Sequence, residues 1–233
     1  MITKVKQTYK SKPDFQKARI LANEILTVSD CIKDFPFNMI DLIEEQSDIQ
    51  CCSYKKAMRL YGIDIKVFGS QSAILFEQQG RALLFFNQDE VDYRIRFSLA
   101  HEFGHYLFNH RLNVTDEVYQ REEIEANFFA GQLLMPEQII SALQSRYVKI
   151  DVDYLKRIFG VSADAAERKI RTLKRVTKEW CSEEERDYDA IIKTKFADFI
   201  TKSIPTSHQT MLFPDYEDEF SRQQERDRWL SMR

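Results

Sequence analysis

Three of the four histidines lie within ten residues, between positions 101 and 110. His101 and His105 are four residues apart, a spacing that places both side chains on one face of an α-helix, where two imidazoles can bind one metal ion. Glu102 follows His101 directly, and on a helix its side chain is rotated by about 100° from that histidine. This HExxH pattern predicts a zinc hydrolase site, with His101 and His105 as ligands and Glu102 as the general base.

The sequence around this pattern is apolar. Between Arg96 and Arg111, Glu102 is the only residue with a formal charge when the histidines are set aside. A buried carboxylate is costly without a partner, and a structural pair of core histidines has no need of one beside it. The setting therefore favours a metal site over the alternative of two histidines that only fill the core.

A catalytic zinc ion normally takes three protein ligands, so a third residue is needed. His110 follows His105 by five residues and points away from the shared face, and we expect its imidazole near the last carbonyls of the helix. Glu125 is the stronger candidate because it is the last charged residue before eleven uncharged ones. Glu122 shares its helix face and is the alternative ligand.

The remaining features of this second helix lead to two further expectations. Glu122 and Glu123 are more simply read as solvated acids at a helix N-terminus, and we favour that role for both. Gly104 and Gly131 are expected to let the two helices approach closely, which sharing a metal ion requires.

Hydrophobic spacing predicts the elements that hold these residues. Helices are expected after Pro13 and after Pro36, and the period changes near residue 49. A small sheet of three or four strands follows, with alternation at 63–67 and a hairpin formed by 73–76 and 82–86. Further helices are predicted over 94–110, 122–135, within 153–175 as a pair, over an amphipathic stretch that includes 188–200, and loosely after Asp215.

Composition excludes several classes of protein. The chain has 233 residues, 43% of them hydrophobic, and a formal charge of −3, which argues against nucleic-acid binding by net charge alone. No glycine-rich phosphate loop and no apolar run of 18 residues occur, so neither a nucleotide loop nor a membrane span is expected. Four cysteines without CxxC spacing, and a start unlike a secretory signal, predict a reduced, cytoplasmic protein.

Two blocks of sequence resemble a known family. Residues 96–105, RFSLAHEFGH, and 125–136, EANFFAGQLLMP, closely resemble the ImmA/IrrE family of zinc metallopeptidases. Residues 83–87 resemble the strand that precedes the active-site helix of that family, and 155–162 resemble its short helix-turn-helix-like segment. The resemblance covers roughly residues 30 to 175.

The resemblance implies a fold and a metal site. The fold is an α+β zincin-like metallopeptidase domain. The hydrophobic spacing makes this domain mainly helical with a small sheet of three or four strands, and it adds a helical C-terminal extension that the resemblance does not cover. The ligands are His101, His105 and Glu125, with Glu102 as general base, and this ligand set favours zinc over manganese or iron. The expected division is an N-terminal helical segment at 1–30, a peptidase core at 31–150, a helix-turn-helix-like segment packed on it at 151–176, and a charged helical extension at 177–233.

The resemblance also implies a function. Members of the family typically cleave, or otherwise inactivate, a helix-turn-helix repressor of phage, mobile-element or stress-response genes. This chain is accordingly expected to be a zinc endopeptidase that acts on such a repressor and derepresses genes. One alternative is a metal-binding antirepressor that sequesters its partner without cleavage.

A second alternative is a DNA-binding regulator that uses residues 153–175. Direct nucleic-acid binding is not expected, because Asp164 and Glu167 stand where a recognition helix would meet DNA. Three residues are open candidates for an oxyanion donor: Tyr106, Tyr119 and His208. The scissile bond, the activating signal and the oligomeric state are not fixed by the sequence.

Overall fold

A computed structural model of the chain describes residues 12–69, 71–78, 80–110, 114–173 and 183–205. Cys181, His208 and the helix expected after Asp215 lie outside these residues. The elements, in order, are α1 (Phe15–Val28), α2 (Met39–Gln46), β1 (Gln50–Ser53), α3 (Tyr54–Tyr61), a 3-10 helix (Ile65–Phe68), β2 (Ala73–Gln78), β3 (Arg81–Phe86), α4 (Asp92–Phe108), α5 (Asp116–Leu134), α6 (Glu137–Gln144), α7 (Val152–Phe159), α8 (Ala163–Leu173), α9 (Glu183–Lys195) and α10 (Ala197–Ser203).

The described strands form one three-stranded sheet in the order β1–β3–β2. β1 pairs with β3 in parallel, and β2 pairs with β3 as the predicted antiparallel hairpin. The hairpin turns at Gly80, whose φ of +75° is a backbone conformation that favours glycine. The predicted α+β class, mainly helical with a small sheet, is therefore confirmed.

The alternating stretch at 63–67 is not a strand. It enters the 3-10 helix Ile65–Phe68, and the Asp64 carboxylate accepts a hydrogen bond of 2.9 Å from the Lys66 amide at its start. This local cap competes with strand pairing, and Val67, on which the alternation depends, is exposed.

The centre of the molecule is the contact between α4 and α5. α4 also packs on β2 and β3, and α5 on α1. Gly104 permits the close approach that was predicted, because an added Cβ atom would lie 2.9 Å from Phe129 Cδ1 and 3.3 Å from the Ala126 Cα atom. The same prediction is wrong for Gly131, where an added Cβ meets nothing within 4 Å.

The short helix pair α7 and α8 is bound to this centre by two cationic side chains. Arg96 of α4 donates to the carbonyls of Phe159 and Gly160, at 3.0 and 2.8 Å, where α7 ends. Lys169 of α8 is buried and donates to Gln132 Oε1 at 2.7 Å. The division of the chain into four segments stays a prediction.

The amphipathic stretch beyond residue 183 forms two helices, α9 and α10, and not one continuous helix. Phe196 lies between them and is buried, with a φ of −101° and a ψ of 22° that interrupt the helix. Of the helices in the described ranges, none has both the length and the apolar character that crossing a membrane requires.

Candidate metal centre

The two histidines of the HExxH pattern face each other on α4. The Nε2 atoms of His101 and His105 are 3.0 Å apart, as their spacing of four residues predicts. The Phe97 ring, one turn earlier on the same helix, stacks on the His101 ring with centroids 6.4 Å apart. Both histidines are partly buried, at 15% and 17% side-chain exposure, so the pair is accessible from one side.

A carboxylate from α5 completes a cluster with these two nitrogens. Glu123 Oε2 lies 3.4 Å from His101 Nε2, and Glu123 Oε1 lies 3.3 Å from His105 Nε2. Ligand atoms around a tetrahedral zinc ion with bonds near 2.05 Å are separated by about 3.3 Å. The three groups therefore fit a divalent ion in spacing and in chemistry, since two imidazoles and one carboxylate are a common zinc ligand set.

The geometry changes the expected third ligand. Glu125, predicted for that position, does not join the cluster, and neither does its alternative Glu122. Residues 123 and 125 project about 200° apart on a helix, so only one of them can face the histidines. Ala126, one turn after Glu123, packs on Gly104 beside the histidine pair, and this contact places the Glu123 face of α5 toward the histidines.

Glu122 and Glu123 also differ from the solvated acids expected at the start of the helix. Glu122 is only 2% exposed and lies 3.9 Å from the Arg121 guanidinium. Glu123 is partly buried, and contacts with the imidazoles of His101 and His105 lower its pKa well below the usual range.

Glu125 instead contacts His110 and the start of α1. Its Oε2 lies 3.1 Å from His110 Nε2, and its Oε1 accepts a hydrogen bond of 2.7 Å from the Asp14 amide. Burial raises the pKa of Glu125, but these two hydrogen bonds outweigh it, so the pKa is lowered. His110 Nδ1 in turn lies 2.9 Å from His105 Nδ1, so Glu125 reaches the histidine pair only through His110.

The backbone conformation at the end of α4 places His110 next to His105. Asn109 has a φ of 58° and a ψ of 42°, the left-handed conformation common after the last helical residue. The Asn109 amide donates to the Tyr106 carbonyl at 3.1 Å, and the His110 amide donates to the His105 carbonyl at 3.0 Å. These two bonds form a Schellman motif, so it is the backbone of His110, and not its imidazole, that meets the last carbonyls.

Glu102 lies beside the cluster and faces the edge strand of the sheet. Its Oε2 accepts a hydrogen bond of 3.2 Å from the Leu75 amide of β2. Burial raises the pKa of Glu102, although the nearby imidazoles of His101 and His105 partly offset that effect. A carboxylate with a raised pKa beside a metal site is suited to accept and return a proton.

The candidates for an oxyanion donor are separated by the structure. Tyr106 is buried, and its hydroxyl donates to Asp48. Tyr119 is exposed on α5 one turn before Glu123, and the charge of that carboxylate, with a hydrogen bond to it, raises the pKa of the Tyr119 hydroxyl. Tyr119 is thus the described candidate that adjoins the cluster.

Comparison with known proteins bears on this arrangement. Residues 60–171 match the sequence model of the IrrE N-terminal-like domain, a family of peptidases. This match supports membership of the ImmA/IrrE family. The matched segment contains the whole of α4 and α5, and with them the histidine pair, Glu102, Glu123 and Glu125 of this ImmA/IrrE domain. No curated protein matches the chain.

The matched segment includes all of α7 and all but the last two residues of α8. At the start of α8, Asp164 and Glu167 are exposed, as is Arg168. Ala166 and Lys169, on another face of the helix, are buried. The exposed first turns of α8 therefore present two acidic side chains, the arrangement on which the prediction against DNA contact rests.

Proposed function

We propose that this chain is a zinc-dependent endopeptidase whose substrate is a helix-turn-helix transcriptional repressor. The observation that carries the proposal is the triangle of donor groups from His101, His105 and Glu123, with Glu102 beside it. The match of residues 60–171 to a peptidase family supports hydrolysis. The repressor as substrate is supported by the resemblance of residues 96–105 and 125–136 to ImmA/IrrE proteins.

The mechanism assigns distinct tasks to the residues of the site. When bound, zinc acts as a Lewis acid that polarises the scissile carbonyl and lowers the pKa of water toward about 7. Glu102 accepts a proton from the attacking water and passes it to the leaving amine. The Leu75 amide holds the Glu102 carboxylate at the β2 edge, and the raised pKa of Glu102 makes that carboxylate a stronger base toward the attacking water.

The test is co-expression with a candidate repressor, read by gel, together with metal analysis of the purified chain. The wild-type protein should contain zinc and should cut the repressor into two fragments. Glu102→Gln should retain zinc and lose cleavage by at least about 100-fold, because a general base contributes 10²–10⁴ in rate. A Glu102→Gln protein that still cuts, or a wild-type protein that binds no divalent metal, contradicts the proposal.

A further inference from the structure

We propose that Glu125 and His110 are positioning residues that hold His105 in the one tautomer able to bind a metal through Nε2. The proposal rests on the proposed function for the identity of His105 as a ligand. It assigns a role to the acidic residue that sequence reasoning had placed in the metal site.

Glu125, His110 and His105 form a series of hydrogen bonds, and the direction of each bond follows from the carboxylate of Glu125. An ionised carboxylate can only accept, and Glu125 already accepts from the Asp14 amide. The contact of 3.1 Å with His110 therefore requires that His110 Nε2 carry a hydrogen and donate it. In a neutral imidazole the other nitrogen, His110 Nδ1, is then an acceptor.

The next contact fixes His105. His110 Nδ1 lies 2.9 Å from His105 Nδ1, so the hydrogen between them belongs to His105. A neutral His105 with its hydrogen on Nδ1 has a lone pair on Nε2, the atom that faces His101 and Glu123. In the metal-free chain, the Glu123 carboxylate competes for this hydrogen, because its Oε1 lies 3.3 Å from His105 Nε2 and can only accept. The contact with His110 is shorter, at 2.9 Å, and places the hydrogen on Nδ1. The opposite tautomer would place two lone pairs against each other at 2.9 Å, or demand that His110 turn a lone pair toward a carboxylate.

Neighbouring residues fix the positions of both His110 and Glu125. The Schellman motif at Asn109 fixes the backbone of His110, and the Phe108 ring stacks on the His110 imidazole with centroids 5.0 Å apart. Glu125 is held at the start of α1 by the Asp14 amide. The side chains of His110 and Glu125 are 5% and 9% exposed, so water competes little for their hydrogen bonds.

His101 provides a contrast within the same pair. Its Nδ1 atom is buried and has no hydrogen-bond partner among the described residues. Of the two histidines, only His105 therefore has a hydrogen-bond partner at Nδ1 among the described residues. We expect the positioning residues to affect metal binding by His105 and not by His101. Partners that orient a metal ligand in this way typically contribute 10–100-fold to metal affinity.

The experiment reads the tautomer directly, without metal or substrate. The full chain, labelled with ¹⁵N and treated with a chelator, is studied by two-bond ¹H–¹⁵N NMR at a pH of about 8, where an ordinary histidine is neutral. The wild-type spectrum should show the His105 hydrogen on Nδ1. A hydrogen on Nε2 overturns the proposal, and this result needs no variant that could fail to fold.

Two variants of His110 then test the link. His110→Leu should shift the His105 hydrogen toward Nε2 and weaken zinc binding about 10–100-fold. His110→Gln is the matched control, because its amide oxygen can accept from His105 while its amide nitrogen donates to Glu125. It should keep the tautomer and bind zinc within a few-fold of wild type. An unchanged tautomer and zinc affinity in His110→Leu overturn the proposal.

This design separates the inference from the function on which it rests. In one outcome, wild-type His105 carries its hydrogen on Nδ1 and His110→Leu shifts it to Nε2, but the wild-type chain cleaves no repressor. This outcome would support the positioning role and overturn the proposed peptidase function. Cleavage by a chain with the hydrogen on Nε2 would do the reverse.

Discussion

Tyr119 places a hydroxyl group at the edge of the candidate metal centre. The side chain is exposed, and it hydrogen-bonds to Glu123 one turn further along α5. A phenol in contact with a candidate metal ligand can turn toward a substrate carbonyl as negative charge develops on the carbonyl oxygen. Donors with that role contribute substantially to hydrolysis because they act where charge appears in the transition state.

Tyr119→Phe should therefore lower kcat for repressor cleavage by about 10²–10³. Zinc affinity should stay within a few-fold of wild type, because the carboxylate of Glu123 is retained. Tyr106→Phe is the matched control: its hydroxyl binds Asp48, away from the cluster, so kcat should be unchanged. Equal kcat values for Tyr119→Phe and wild type would remove Tyr119 from the mechanism.

At the residue level, the sequence could identify the histidines but not the acid that joins them. A spacing of four residues fixes His101 and His105 on one face whatever surrounds the helix. Glu122, Glu123 and Glu125 all precede the same apolar stretch, and the choice depends on which face of α5 meets α4. The direction of that face follows from the packing of Gly104, a tertiary contact that helical periodicity alone does not contain.

The two central helices depend on one close approach. At Gly104, an added Cβ atom would lie 2.9 Å from the Phe129 ring and 3.3 Å from the Ala126 Cα atom, so the ring or the backbone of α5 must shift to accommodate it. Because His101 and His105 lie on one helix and Glu123 on the other, a small separation of the helices also enlarges the metal cluster.

Gly104→Ala should lower the free energy of unfolding by about 1–2 kcal/mol, since overpacking outweighs the gain in helix propensity. It should also weaken zinc binding. Gly131→Ala is the control within α5, where an added Cβ meets nothing, and it should be neutral or stabilising by up to about 1 kcal/mol. Chemical denaturation and zinc titration measure both effects. Equal stabilities for the two variants would show that the approach at Gly104 is not tight.

Helices could be predicted from the sequence where apolar residues recur at helical spacing over a long segment. α4 and α5 were predicted to within a few residues of their C-terminal ends because apolar side chains recur through them. The stretch at 63–67 failed because five residues carry too little pattern to compete with the Asp64 cap. Similarly, no periodicity marked the interruption at Phe196 that separates α9 from α10.

Across the whole molecule, four helices meet at a buried polar cluster. Gln132 of α5 donates to Asn23 of α1 and to Gln138 of α6, both at 3.0 Å, and Gln138 donates to Asn23 at 3.2 Å. Lys169 of α8 joins the cluster by donating to Gln132. Burial lowers the pKa of Lys169 to about 8, because the charged ammonium is poorly solvated there.

This shift predicts a pH dependence of stability. The unfolded chain keeps Lys169 protonated up to its ordinary pKa near 10.4, while the folded chain releases the proton near 8, so stability from this residue rises with pH between those values. The slope approaches at most about 1.4 kcal/mol per pH unit. Lys169→Met should lack this rise when its denaturation is compared with wild type from pH about 8 to 10. Parallel curves for the two proteins would contradict the predicted shift.

The class of fold was predictable at this scale because the order of helical and strand patterns restricts the architecture. The buried polar cluster around Lys169 could not be predicted, because the sequence pattern of α8 does not show whether the face that carries Lys169 is exposed or packed. Its burial is a consequence of how α8 meets α5, and the sequence pattern contains no direct record of that contact.

The claim on which the mechanism depends is that Glu123, and not Glu125, is the third metal ligand. The most direct measurement is zinc affinity of the purified chain, by competition with a chromophoric chelator, for wild type, Glu123→Gln and Glu125→Gln. Glu123→Gln should lose far more affinity than the 10–100-fold expected for a residue behind the ligands. Glu125→Gln should stay within about 10-fold of wild type, because its amide oxygen still accepts from His110. The reverse order of affinities would contradict the account.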